Sequence, residues 1–290
     1  MYIVGLNAFH GDSSACLLKD GNLIGAAEEE RFRRIKHWAG FPSEALKWCL
    51  LEAGINLQDV DHIALNQDIK ANLGRKIMFT LDRRPSLKML IDRFQNKRKR
   101  LSVKEHLLKA FPNSEFNGSI HSVEHHTAHL SSAFHTSPFD EAVTVSVDGF
   151  GDFASSAWGV GQGIKIDLED RIYFPHSLGI FYQALTQFIG FHNYGDEYKV
   201  MGLAPYGKPV YIEQMREIVK LKSDGSFKLN LNYFRHHNEK IDYEWENGSP
   251  HVGTLFSSNL ENLLGPERTK DQELTQKHKD IAHSVQAMYE

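Results

Sequence analysis

The sequence predicts an α/β fold of two lobes that begin alike. Two observations carry the prediction. Short β-favouring runs alternate along the chain with stretches of helical spacing. A weak internal repeat relates the segment from Val4, V-G-L-N-A-F-H-G-D-S-S-A-C-L-L-K-D-G-N-L-I, to the segment from Val145, V-S-V-D-G-F-G-D-F-A-S-S-A-W-G-V-G-Q-G-I-K-I. With a one-residue gap, each has a strand ending in Asn7 or Asp148, a glycine-containing turn, Ser-Ser-Ala, a second strand and a further glycine turn. Facing turns of that kind offer backbone N–H groups to phosphates without a Walker loop.

That arrangement is the one found in the actin, sugar-kinase and Hsp70 superfamily, where nucleotide lies between two ribonuclease-H-like lobes. The expected first lobe is 1–138, and 139–290 is the first part of a second lobe that looks truncated. Residues 2–7, 13–18 and 23–27 read as an antiparallel meander, with Asp20-Gly21 as its tight turn. Glu28-Glu29-Glu30-Arg31 reads as a solvated exit from the sheet, or as a group that holds substrate. Pro42-Ser43 opens a helix carrying Leu46, Leu50, Leu51 and Ala53, stopped by Gly54. Residues 60–65 and 119–123 are further strands. Between them, 68–110 holds 13 Lys or Arg against 4 acids, with Leu87, Leu90, Ile91 and Phe94 at helical spacing. This predicts a basic helical insertion; a solvated face or a phosphate-handling partner explains it better than nucleic acid. Strands are expected at 142–147, 155–160, 164–166 and 171–174, and an apolar helix at 178–189. Residues 195–207 are rich in breakers, 210–221 reads as helix, 227–234 as strand, and 271–290 as a helix with no closing glycine.

With 41% hydrophobic and 24% charged residues among 290, the chain has the composition of a globular protein. It has no apolar run of membrane-spanning length and no signal-peptide pattern. Two cysteines without a spaced framework fit a reducing compartment, so the cytoplasm is expected and no membrane partner.

The chemistry concentrates in residues 123–152. His125 and His129 are four apart and share one helix face. Asp148 ends an apolar strand where it enters a turn. Two imidazoles and a carboxylate suit iron, manganese or zinc. His126 points about 100° away from His125 and is not expected to ligate. His176-Ser177 precedes a helix, with Ser177 as its N-cap.

Six stretches together resemble the O-carbamoyltransferases of nodulation and antibiotic biosynthesis: G-L-N-A-F-H-G-D-S-S-A, A-A-E-E-E-R-F, H-H-T-A-H, S-V-D-G-F-G-D, F-P-H-S-L-G-I-F-Y and D-E-Y-K-V-M-G-L-A-P-Y-G. They run from Gly5 to Gly207. The resemblance implies an actin-like domain related to the enzymes that attach threonylcarbamoyl to tRNA, holding a divalent metal usually assigned as Fe²⁺. It implies a separate C-terminal domain, absent here, that makes carbamoyl-adenylate from carbamoyl phosphate and ATP. The carbamoyl group then moves to a hydroxyl of a sugar or natural product. His125, His129 and Asp148 match the family's metal ligands, and His10 matches a position suited to the general base. Asp12, Ser13, Ser14, Gly149, Gly151, Asp152 and Lys199 are the candidates for holding nucleotide or carbamoyl-adenylate. A family aspartate and a glycine-rich motif that lie further on are also missing, so full activity of these residues alone is not expected. The expected partners are the hydroxyl acceptor and the missing domain, and a homo-oligomer is allowed. The competing readings are an actin-like kinase or ATPase without carbamoyl chemistry, which would call for paired Mg²⁺-supporting acids, and a nonenzymatic binding module.

Overall fold

Strand β1 (Tyr2–Asn7) lies at the middle of a five-stranded sheet ordered β3-β2-β1-β4-β5. In this computed structural model the described residues are 1–83, 102–239, 241, 243–244 and 248–290. They divide into one unit of Met1–His125 with Glu244–Pro250, and another of His126–Tyr243 with His251–Glu290.

In the first unit β1, β2 (Ser14–Lys19) and β3 (Asn22–Glu28) form the expected antiparallel meander. Asp20 and Gly21 both take positive φ, 49° and 83°, which a two-residue turn of matching twist requires. β4 (His62–Leu65) adds parallel to β1, and β5 (Ser119–Ser122) parallel to β4. Alternation buries Val4, Leu6, Ala15 and Leu17, which share one core with Ala45, Leu46, Cys49 and Leu50 of helix α2. This is the ribonuclease-H-like arrangement expected of the first lobe.

The short helix α1 (Glu30–Arg33) links β3 to α2 (Ser43–Ala53), which ends at the left-handed Gly54 as expected. Glu29, read from sequence as a solvated exit, is fully buried. Its carboxylate accepts from the backbone N–H of Glu44 and Ala45 at 2.9 and 2.8 Å and from Arg33 Nε at 2.7 Å. It therefore satisfies orphan donors at the start of α2 and opposes the helix dipole. Glu29→Ala is expected to cost at least about 2 kcal/mol, read as a lower urea midpoint at unchanged slope.

Within the basic stretch, helices α3 (Leu73–Arg83) and α4 (Val103–Ala110) are described. The positions Leu87, Leu90, Ile91 and Phe94 lie outside the described residues. Ser102 and Glu105 close a capping box on α4.

Helix α5 (His125–Phe134) carries the chain from its first residue into the second unit, which repeats the meander as β6 (Glu141–Gly151), β7 (Ala154–Gln162) and β8 (Lys165–Tyr173). The two short strands expected at 164–166 and 171–174 are one strand with bulged pairing to β7. Helix α6 (Leu178–Phe188) is the apolar helix, nearly all buried, with Ser177 Oγ accepting from Ile180 N at its start. The breaker-rich 195–207 contains α7 (Glu197–Leu203), which runs into a 3₁₀ turn, Ala204–Tyr206. Its glycines mislead because Gly195 and Gly207 stand outside the helix and Gly202 lies within one turn of its end. In 210–221 only α8 (Ile212–Ile218) is helical. The chain then enters β9 (Val219–Leu221), paired with β10 (Phe227–Leu229). A 3₁₀ turn, Leu231–Tyr233, replaces the rest of the strand expected to 234.

After α9 (Ser258–Leu264), α10 (Gln276–Tyr289) buries Ile281, Ala282 and Val285. Tyr182 of α6 donates to Gln286 at 2.6 Å. No described helix is long and apolar enough to cross a membrane.

His236 is buried beside the rings of Phe150, Phe174 and Phe234, with Nε2 2.8 Å from the Pro175 carbonyl. Burial pushes its pKa down to about 4. A base whose folded-state pKa is lowered binds fewer protons folded than unfolded below its ordinary pKa. Its contribution to stability is therefore complete above about pH 6.5 and is lost as pH falls toward about 4. His236→Phe should flatten that part of the urea-midpoint profile.

Candidate metal centre

Helix α5 begins at His125 because the strand β5 has just ended and Val123 N still bonds to Leu65 O at 2.8 Å. The helix places His125 and His129 one turn apart on the same face. The boundary between the units falls within this helix, so its backbone geometry fixes His125 relative to His129. The helix is held against β6 by Thr144 Oγ1 donating to Leu130 O at 3.4 Å.

His126 turns the other way, as its position on the helix predicts. It is fully buried, and Nδ1 is 2.9 Å from Ser146 Oγ on β6. Asp148 sits near the far end of β6. Its Oδ2 is 3.6 Å from His129 Nε2, both side chains are partly exposed, and Oδ1 accepts from Gly149 N at 2.6 Å.

The Asp148 backbone is clamped from behind. Ser177 Oγ, the N-cap of α6, donates to Asp148 O at 2.9 Å. Gly179 comes so close that a Cβ there would stand 2.7 Å from the Asp148 carbonyl. Gly179→Ala should therefore push Asp148 out of line with His129. Overpacking of this kind costs about 1–3 kcal/mol, and metal affinity should fall with it, readable by calorimetric titration against the unfolding curve.

His125, His129 and Asp148 each present one ligand atom within 4.8 Å of the other two. His125 Nδ1 lies 3.2 Å from the Asn66 carbonyl oxygen. A carbonyl only accepts, so Nδ1 carries the proton and Nε2 is left with the lone pair a metal needs. Two imidazoles and a carboxylate, partly open to solvent, fit a divalent transition metal with free coordination positions.

His10 lies in the turn after β1, its carbonyl accepting from Ser13 Oγ at 2.8 Å. Its ring is 5.6 Å from that of His125, centre to centre.

The other candidate residues have definite neighbours. Ser13 is fully buried and its hydroxyl is engaged by the His10 and Gly40 carbonyls, so it shapes the turn. Asp12, at φ 58°, bonds His37 Nδ1 at 2.8 Å. Ser14 is paired in β2 opposite Asn7. Gly149 and Gly151 lie within β6, with open space where a Gly149 Cβ would stand. Asp152, at φ 48°, makes the turn into β7. Lys199 pairs with the buried Asp196 at 2.6 Å and lies over Phe191 within the second unit. Asn66 and His37 carry no mark in the sequence beyond their places, Asn66 just after β4 and His37 just after A-A-E-E-E-R-F.

Residues 2–290 match the family described as carbamoyltransferase N-terminus. The chain belongs to that family. The uncharacterized protein sll1178 of Synechocystis sp. is 37% identical over 304 residues, covering 100% of this chain and 46% of its own length. The nodulation protein NolNO of Sinorhizobium fredii is 31% identical, covering 98% of this chain and 37% of its own length. The chain thus spans less than half the length of these two curated relatives.

Among solved structures, YeaZ from Pseudomonas aeruginosa is similar at 16% identity and a TM-score of 0.32, over 58% of this chain and 64% of its own. The ROK hexokinase from Thermus thermophilus is similar at 13% identity and a TM-score of 0.32, over 62% and 52%. These likenesses are loose, and the topology of the first unit stands without them. For this carbamoyltransferase N-terminus, the motifs quoted from the sequence all fall inside the matched residues.

Proposed function

We propose that this chain is the acceptor-side part of an O-carbamoyltransferase, moving a carbamoyl group from carbamoyl-adenylate to a hydroxyl of a sugar or natural product. Family membership supports carbamoyl transfer in general. The observation that favours this assignment is the pair of imidazoles on one helix face joined by Asp148, with His10 beside His125.

In this reading His125, His129 and Asp148 hold a divalent metal, Fe²⁺ by family resemblance. When bound, it supplies Lewis-acid stabilisation of charge on a phosphoryl or carbonyl oxygen. His10 takes the proton of the acceptor hydroxyl as its oxygen bonds to the carbamoyl carbon. The bond from that carbon to the adenylate phosphate oxygen breaks, and AMP leaves. Gly149 keeps the backbone near Asp148 uncovered, which leaves room for a ligand. Carbamoyl phosphate and ATP are the substrates of the adenylate-forming part of the longer enzyme.

The test separates the two half-reactions. The purified 290-residue chain should form no carbamoyl-adenylate from carbamoyl phosphate and ATP, followed as pyrophosphate release. Robust release by the chain alone would overturn the division of labour. An unchanged inventory of bound metal in His125→Ala and His129→Ala would overturn the centre.

A further inference from the structure

We propose that Asp12, Glu30 and His37 form a second divalent-cation site, distinct from His125, His129 and Asp148 and lying entirely within the first unit. Three short segments supply it: the turn after β1, the first residue of α1, and the loop before α2. Their ligand atoms lie within 4.8 Å of one another. Asp12 Oδ1 is 2.8 Å from His37 Nδ1, and Glu30 Oε2 accepts from the backbone N–H of His37 at 3.0 Å.

The charges are unbalanced without a cation. Two carboxylates this close repel each other, and the ordinary remedy is a neighbouring lysine or arginine. Two of the three arginines that follow Glu30 are directed elsewhere: Arg31 pairs with Glu28 and Arg33 with Glu29. Among the described residues neither Asp12 nor Glu30 has a lysine or arginine partner. His37 is the one cationic candidate, and only when protonated.

Only a small movement separates the present spacing from that of a bound ion. A tetrahedral ion with bonds of about 2.0–2.1 Å sets neighbouring donors roughly 3.3 Å apart, so the Asp12–His37 pair, 2.8 Å apart across its hydrogen bond, has to open by about half an ångström to admit one. One imidazole nitrogen and two carboxylates suit zinc or manganese and leave at least one position open. On binding, His37 Nδ1 turns its lone pair to the metal: from the neutral ring the proton is re-seated on Nε2 with no net release, and only the doubly protonated ring gives one proton to solvent.

Mn²⁺ alone is the probe, counted by the loss of its free-ion spin-resonance signal. The measurement starts from His129→Ala/Asp148→Asn, which lacks the first centre. This protein should still bind one equivalent. Adding Asp12→Asn or His37→Gln should weaken that binding at least about 100-fold, since loss of a mere supporting group costs 10–100-fold. Circular dichroism checks folding, with Glu30→Gln as the alternative should a substitution unfold the turn. Asp12→Asn alone should keep one equivalent at the first centre. No Mn²⁺ bound by the His129→Ala/Asp148→Asn protein, or binding indifferent to Asp12, Glu30 and His37, overturns the proposal. Failure of the first centre would show separately, as His129→Ala alone binding as much metal as the unaltered chain.

Discussion

His129→Ala will leave the purified chain with its fold and without metal at the centre on α5. The side chain is about half exposed, so its removal opens no core cavity. It does remove one of three protein donors. Substituting groups that only support a ligand costs 10–100-fold in affinity, so losing the ligand itself should cost at least about 100-fold. His125→Ala should cost the same metal and some stability besides, because His125 is buried and bonded to the Asn66 carbonyl. Elemental analysis after dialysis reads the first effect and urea unfolding the second. His126→Ala is the contrasting variant. It should destabilise through the lost contact with Ser146 while leaving the metal in place. If both ligand variants keep full metal content, the centre is wrongly assigned.

The sequence disclosed the parts of this molecule whose cause is local. The meander, its Asp20-Gly21 turn and the Gly54 stop of α2 follow from alternation and backbone handedness, and each appears where expected. The pairing of His125 with His129 is equally local, a matter of helix period. What stayed hidden depends on contacts between distant residues. Glu28 to Glu30 are three identical carboxylates in the chain, yet Glu29 is buried under α2 and Glu30 meets the His37 backbone. Only the folded turn assigns those fates. The helix α7 was masked by glycines that prove to flank it or lie near its end. The join of 164–166 to 171–174 as one strand needed the bulges on β7 to absorb the break in pattern. In the same way, the pairing of Lys199 with Asp196 and its place over Phe191 depend on the folded turn before α7.

His10→Asn will slow carbamoyl transfer to the acceptor while leaving the metal bound. The acceptor hydroxyl must lose a proton as it attacks. The carboxylate of Asp148 and the imidazoles of His125 and His129 are taken up as metal donors in the proposed mechanism. His10 is a remaining imidazole with a fixed position: its carbonyl is tied to Ser13 and its ring lies 5.6 Å from that of His125. Asparagine keeps a polar side chain of similar reach in the turn but cannot take the proton. Removing a general base typically costs ~10²–10⁴ in rate. The measurement needs a polypeptide carrying both this chain and the adenylate-forming part, supplied with preformed carbamoyl-adenylate in a single turnover. Transfer should fall by that factor, with carbamoyl-adenylate formation and metal content unchanged. A base also leaves a signature that a turn residue does not: the variant should lose the acid limb of the transfer-rate profile, where protonation of the base slows the unaltered enzyme. Transfer at the full rate would reduce His10 to a turn residue. Loss of metal together with transfer would move it into the ligand shell and require the proton acceptor to be sought among other groups.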